Sequence, residues 1–449
     1  MTPRRLQKLR TELGEFLNEM LEGQGRPERR AALGHYITGL LLDGERKSIQ
    51  PMAARLTENA SEADAMRQRL QDCVAGSRWS EIELARRFII KMDRDLPGLE
   101  VLVVDDTGFA KKGKHSVGVA RQYSGTLGRT DNCQVMTSVH LAGDRGSVMA
   151  GARLYLPKEW TDDQSRCHAV GVPDEVEFKT KWQIALDLID QTLGFGIAGR
   201  PVLADAGYGE TAEFRDGLTQ RGLTYVVGVP NNQLIWAPGT NPKPPARNPR
   251  KRGRPYSRWR DGNKQPIQIA ALVKSIPRER YKTVSWREGA RGKLSSKFLA
   301  YRVRSAVKHT KGRPPSEELW LLCEWQSCDS EPRFHLSTLP ANLTLKELVR
   351  TTKLRWRVER DYQDLKGEVG LDHFEGRTWR GFHRHATLCA VAHGFLALRR
   401  ALFPPIADEV DVAGGASTAT AAPAGAHRLV SAVYETVSTF TFAASRAAI

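Results

Sequence analysis

Between Leu6 and Met20 the apolar residues Leu6, Leu9, Leu13, Phe16, Leu17 and Met20 return every three or four positions, the spacing that lays one helix face on a core. ALGHYITGLLL (32–42) continues the pattern, and residues 1–95 read as helical. At Leu99 the period changes. LEVLVVDD (99–106) is a β-branched run that ends in two carboxylates, followed by Thr107 and Gly108. HSVGVARQYS, CQVMTSVHLAGD and SVMAGARLYLP read as further strands between glycine-rich turns. EVEFKTKWQIALDLIDQTLGFG (175–196) predicts a helix with Phe178, Trp182, Leu186, Ile189 and Leu193 on one face and Gly194 near its end. PVLADAGYG predicts a buried strand ending in Asp205, then a short helix and the strand TYVVGVP. PIQIAALV, YKTVSW, KFLAYRVRSAV and LWLLCEW carry strand signals. The stretch 343–370 predicts a helical hairpin or one long helix, and a second apolar helix is expected from about Phe382 to Phe403. The sum is an α/β fold.

At 449 residues and 40% apolar content the chain has length for two or three domains and a sizeable core. It has no run of about 18 apolar residues, and its first twenty residues lack a signal peptide's apolar region and cleavage site, so a cytoplasmic protein is expected. The six cysteines are scattered without a CxxC pair and read as small buried residues of a reducing compartment.

Charge changes the picture more. Of a net +17, the segment 231–313 holds 22 Lys or Arg against Asp261, Glu279 and Glu288, so the rest of the chain is close to neutral. A polyanionic partner is implied. The segment opens with NPKPPARNPRKRGRPYSRWR (241–260), read as a loop or extended arm. Arg252, Arg254, Arg258 and Trp259 in it are candidates for phosphate neutralisation and base stacking. Trp286 is a second candidate for stacking or for packing, whereas Trp320 and Trp325 read as core. A membrane surface fits less well, because the basic segment is not an amphipathic helix.

Three acids stand where chemistry is possible: Asp105 or Asp106 at the end of one strand, Asp205 at the end of another, and Glu359 on a helix. Carboxylates are hard ligands for Mg²⁺ or Mn²⁺, and two such ions suit phosphodiester chemistry. Each acid also has an ordinary reading, as a turn former or helix cap for the aspartates and as a partner of Arg355 or Arg360 for Glu359.

With their surroundings, these acids resemble a known family. VLVVDDTGFAKKGKHSVGVARQYSGTLGRTDNCQ, LADAGYG, LRWRVERDYQDLKGEVGLDHFEGRTWRGFHRH and GERKSIQPMA are similar to bacterial insertion-sequence transposases of the DDE type, in the insertion sequence seven-oh-one group. The resemblance spans about residues 30–400. It implies an RNase H-like core, a mixed sheet flanked by helices, with a β-rich insertion and a helical N-terminal domain. The segments expected are a helical N-terminal domain that binds DNA (1–95), the first part of the catalytic core (96–230), the basic insertion (231–343), the C-terminal core helices (344–405) and a low-complexity linker and tail (406–449).

The resemblance also implies catalysis by Asp105 (with Asp106 one residue away as the alternative), Asp205 and Glu359. Asp105, Asp205 and Glu359 would hold two Mg²⁺ ions, with Mn²⁺ able to substitute. A Tyr-Arg-Glu-Lys signature falls on Arg355, Glu359 and Lys366, with Thr352 where the family has Tyr; on one helix these would share a face. Arg355 and Lys366 would then meet DNA phosphates. Lys111, Lys112, Lys114 and Arg121 line the DNA path or form a solvated basic loop, and His373 in GLDHFEG reads as packed or capping. The expected activity is strand cleavage at the element's terminal inverted repeats and transfer into target double-stranded DNA, by a homodimer acting on the nucleoid. A DNA-binding regulator without catalysis, or a metal-dependent nuclease without strand transfer, are the alternatives.

Overall fold

The computed structural model describes residues 3–126, 128–245, 257–289, 292–326 and 331–402. Five helices come first: α1 (Pro3–Leu21), α2 (Pro27–Leu41), α3 (Ile49–Arg55), α4 (Ala60–Ala75) and α5 (Glu81–Asp95). Strands β1 (Leu99–Ala110), β2 (Ala120–Ser124), β3 (Arg129–Gly143) and β4 (Ser147–Leu154) lead to α6 (Lys158–Thr161), α7 (Gln164–Ala169) and α8 (Lys181–Gly194). Then follow β5 (Val202–Ala204), α9 (Ala206–Gly209), α10 (Ala212–Gln220), β6 (Tyr225–Val229), β7 (Leu234–Trp236), β8 (Ile267–Gln268) and α11 (Ile269–Lys274). The last elements are β9 (Lys282–Gly289), β10 (Gly292–Ser305), β11 (Glu318–Trp325), β12 (Arg333–Ser337), α12 (Leu345–Lys353), α13 (Trp356–Gly367) and α14 (Trp379–Leu402). The fold is mixed α/β. Among the described residues, no helix is long and apolar enough to cross a membrane.

The chain forms two compact units. The first takes its described residues from Met1–Leu99, Asp105–Ala198 and Trp356–Ile449, the second from Glu100–Val104 and Gly199–Arg355. Strand β1 therefore gives Glu100–Val104 to the second unit and the stretch from Asp105 onward to the first.

In the first unit α14 is buried along most of its length, with Leu388, Val391, Phe395 and Leu396 facing neighbours on every side. Such all-round apolarity marks a central helix, and α2, α4, α5 and β4 pack around it. The α1 stripe is buried as its spacing predicts, from Leu9 through Met20, and the Phe16 ring lies 5.4 Å from that of Phe395. Helix α5 starts where Ser80 accepts the Glu83 N–H at 3.1 Å. Antiparallel pairing sets β2 on β3 (Ala120↔Cys133) and β4 on β3 (Met136↔Leu154), with a bulge between Val139 and His140. The helix predicted from Glu175 begins only at Lys181, because Thr180 and Gln183 form a capping box there. Phe178 is left exposed outside it, and the buried residues are Ile184, Ala185, Leu186, Leu188, Ile189 and Thr192, which include the expected Leu186 and Ile189.

In the second unit Glu100–Val104 of β1 pairs in parallel with β5 (Leu102↔Val202, Val103↔Leu203), and β5 pairs in parallel with β6. Helices α9 and α10 supply the crossover that parallel strands need. From β6 the sheet turns antiparallel through β12, β11 and β10 to β7 and β8, with β9 beside β10. The basic stretch of sequence is thereby built into a sheet edge. PIQIAALV, expected as a strand, gives two strand residues and then α11, because Ile269 and Val273 are buried one helical turn apart.

Candidate functional site

The first pair of acids lies at the middle of β1, after the fully buried run Val101–Val104. Successive strand residues face opposite sides, so Asp105 and Asp106 diverge. Asp105 Oδ1 accepts the Asp106 N–H at 2.8 Å, and Asp106 Oδ2 pairs with Lys181 Nζ of α8 at 3.0 Å. Both carboxylates are half-buried. Close by, Gly108 lies against Ser124: a Cβ added to it would overlap the Ser124 hydroxyl and stand 2.9 Å from the Ser124 Cβ.

Glu359 is exposed in the first turn of α13, and Lys366 occupies the last turn. Each charge suits its end of the helix dipole. Three residues after Glu359, the buried Tyr362 hydroxyl is 2.6 Å from Ser138 Oγ, which is 2.9 Å from His140 Nε2. His140 Nδ1 is 2.7 Å from Asp361, whose other oxygen accepts from the Ser147 hydroxyl. This relay ties α13 to β3 and β4. Burial raises the Tyr362 phenol's pKa well above its usual value, and the negative charge of Asp105, then of Asp106, adds to the rise. Burial works to raise the Asp361 pKa too, yet the hydrogen bond and charge of His140 hold that carboxyl below the usual range. Arg360 reaches Asp364 at 2.9 Å on the same helix. Lys366 turns inward: its Nζ donates to the Gly108 carbonyl at 2.8 Å, and burial lowers its pKa.

Arg355 departs from expectation. It stands in the turn between α12 and α13, so it shares no helix face with Glu359. Thr352, at the signature's aromatic position, is buried on α12 with its hydroxyl donating to the Leu348 carbonyl at 2.7 Å. In the second unit, Asp205 follows β5 directly and caps α9, its Oδ1 accepting the Tyr208 N–H at 3.3 Å. The last glycine of DAGYG, Gly209, is needed for close approach, since a Cβ there would overlap the Gly228 carbonyl of β6.

Among the other candidates, Lys112, Lys114 and Arg121 are exposed, whereas Lys111 is half-buried with its Nζ on the Phe374 carbonyl at 3.0 Å. Arg258 is exposed and Trp259 half-buried; Arg252 and Arg254 lie outside the described residues. Trp286 packs edge-on to Phe298 at 5.8 Å with the Lys353 ammonium 4.4 Å above its ring. Sequence reasoning missed Lys181 and the members of the relay. The one signal for the relay was the alternation of Ser138 and His140, two polar residues in the apolar half of β3 from Val135 to Ala142.

The three acids offer hard oxygen donors of the kind Mg²⁺ prefers. Among the described residues, however, no group of three or more His, Cys, Asp or Glu is gathered in a way that could hold a metal ion.

Comparison with known proteins adds a family. Residues 19–293 match the family described as DDE superfamily endonuclease, a span that includes Asp105, Asp106 and Asp205 and stops before Glu359. A probable transposase for insertion sequence element IS701 from Microchaete diplosiphon is 33% identical over 136 residues, 30% of this chain. The match spans about a third (33%) of that relative's length. A solved piggyBac transposase synaptic complex with hairpin DNA aligns over 98% of this chain and 80% of its own at 10% identity, with a TM-score of 0.43. Matched over well more than half its length, the chain belongs to the DDE superfamily endonucleases, and its likeness within them is to the insertion-sequence transposases.

Proposed function

We propose that the chain is a DNA transposase that cuts phosphodiester bonds at the ends of a mobile element and joins those ends to target DNA. The observation that carries this reading is the position of two acids on the chain. Strands β1 and β5 pair in parallel, and Asp105 and Asp205 each come two residues after the partners Val103 and Leu203. Strands are rigid elements on which a scaffold holds reactive side chains, Asp105 within β1 and Asp205 just past the end of β5. We read the parallel crossover with its antiparallel neighbours as an RNase H-like core.

Asp105 is preferred over Asp106 as the first acid. Lys181 already neutralises Asp106, and Asp105 is the stronger negative influence on Tyr362 of the helix that carries Glu359. Asp105, Asp205 and Glu359, not gathered into one metal-holding group in the structure without DNA, would hold two Mg²⁺ ions once metal and DNA draw them together, with Mn²⁺ able to substitute; when bound, these would activate the attacking oxygen and stabilise the leaving one. Donor chemistry and family membership support this assignment. The relay through Tyr362, together with Lys366, holds α13 against β3 and β1, which fixes the backbone on which Glu359 sits. Exposed Lys112, Lys114 and Arg121 would meet DNA phosphates. Joining two ends in one event implies a homodimer on chromosomal DNA.

The family's description as endonucleases favours one second reading, cleavage without joining. Incubating the protein with element-end duplexes, a target plasmid and Mg²⁺ separates the two: joined products support transposition, and nicked ends alone support the nuclease. Glu359→Gln is expected to abolish cleavage and leave DNA binding intact, since only an acceptor charge is removed. Cleavage that survives it would end the assignment of Glu359.

A further inference from the structure

Two stretches of this chain, GERKS (44–48) and GLDHFEGRTWR (370–380), carry charge and aromatic residues but none of the three acids. The structure brings them together. The Lys47 N–H donates to His373 Nδ1 at 3.0 Å, and Arg46 pairs with Glu375 at 3.0 Å. A third stretch joins them from beyond β1, where Lys111 Nζ holds the Phe374 carbonyl and the Val117 N–H meets the Arg377 carbonyl at 3.0 Å. All three belong to the first unit.

Between them runs an open groove of about 720 Å³ whose lining includes Gly108, Phe109, Lys112, His115 and Arg377. Five lining residues are Lys or Arg, two more are His, and only Asp372 and Glu375 are acidic. Lys111 and Lys366 spend their ammonium groups on main-chain carbonyls and act as braces. Lys112, His115 and Arg377 are exposed. A scaffold braced from within that presents cations outward is suited to a flexible, repeating anion rather than to one small ligand.

We propose that this groove holds the sugar-phosphate backbone of DNA, with Lys112 and Arg377 as its phosphate contacts and Arg46 held in reserve by Glu375. The inference rests on the transposase reading, and chain continuity favours DNA over an acidic protein. The groove's floor at Gly108 is three residues from Asp105, about 10 Å along a strand, so a backbone lying here leads to that acid.

The test uses the full-length chain carrying Glu359→Gln, without metal, and a fluorescein-labelled 30-bp duplex of arbitrary sequence. Phosphate contacts are insensitive to sequence, so the element's ends are not required. Binding is followed by anisotropy across a salt series. Lys112→Ala with Arg377→Ala is expected to lower the slope of log K against log salt by about 2, at about 0.9 for each phosphate no longer neutralised. Glu375→Gln, which releases Arg46 and removes an opposing charge, is expected to tighten binding at low salt by several-fold. That gain cannot come from misfolding. An unchanged slope in the first variant together with no tightening in the second overturns the groove. So does an equal loss of affinity for polyglutamate, which would mark a general acidic-polymer site. If Glu359→Gln still cleaves DNA when Mg²⁺ is restored while the slope falls as expected, the groove stands and only the catalytic assignment is lost.

Discussion

Gly108 shows how little freedom surrounds Asp105. Thr107 Oγ1 lies 3.3 Å from Thr126 Oγ1, Lys366 holds the Gly108 carbonyl, and Ser124 occupies the space a Cβ would need. Overpacking of this kind typically costs about 1–3 kcal/mol. Gly108→Ala is expected to destabilise the chain by about 2 kcal/mol in urea denaturation, and adding Ser124→Gly should recover most of the loss. Losses that simply add would show that the two residues do not meet. The histidines of α14 are held as specifically. His385 Nδ1 is 3.0 Å from the Tyr36 hydroxyl, and its Nε2–H donates to the Gly370 carbonyl. His383 takes the opposite tautomer: its Nε2 accepts the Leu154 N–H and its Nδ1–H donates to the Trp379 carbonyl.

As in β12, where burial pushes the His335 pKa down to about 3, those two histidines make α14 an acid-sensitive element. Burial pushes each pKa down to about 4, so both are neutral in the folded chain and protonate near 6.5 when it unfolds. A depressed folded pKa gives stability that is present above 6.5 and lost as pH falls toward 4. Each histidine is expected to cost about 2 kcal/mol between pH 7.5 and pH 5. Urea midpoints measured at those two values should fall, and His383→Gln with His385→Gln should flatten the fall; an unchanged dependence would place the protons elsewhere. Helical spacing made α1 and α2 legible in the sequence and an apolar run made α14 so, as β-branched runs did for β1 and β6. Other features were not legible, each for a physical reason. The break between α12 and α13 falls in TTKLRW, which holds neither Gly nor Pro. The strands β7 and β12 are three and five residues long, too short to show a period. The relay joins Ser138 to Tyr362 across 224 positions, a distance that local patterns do not reach.

At the scale of the whole molecule the charge is the organising quantity. One stretch of sequence, 231–313, carries more positive charge than the whole chain's net +17, and the sheet of the second unit carries that stretch on β7 to β10. Residues 246–256 alone hold five Lys or Arg. Replacing them with a short Gly-Ser turn is expected to leave cleavage chemistry intact and to reduce the salt dependence of DNA binding by up to about 4 in slope. An unchanged slope would assign the affinity to other basic residues. The motifs point to the three acids, and the structure places the cations expected beside them only partly as those motifs suggest. Lys111 and Lys366 turned out to brace the main chain, and Arg46 and Arg377 come from stretches far apart in sequence.

One small feature of the second unit reaches further than its size. Lys243 and Arg260 exchange backbone hydrogen bonds of 2.7 and 3.1 Å, so the two feet of the basic loop are already stitched together. Such a position is where a chain can be opened to new termini or fused to a foreign module without disturbing the sheet behind it. On the proposed transposase reading, a reader of a chosen DNA sequence grafted there could address the proposed cutting chemistry to a new site.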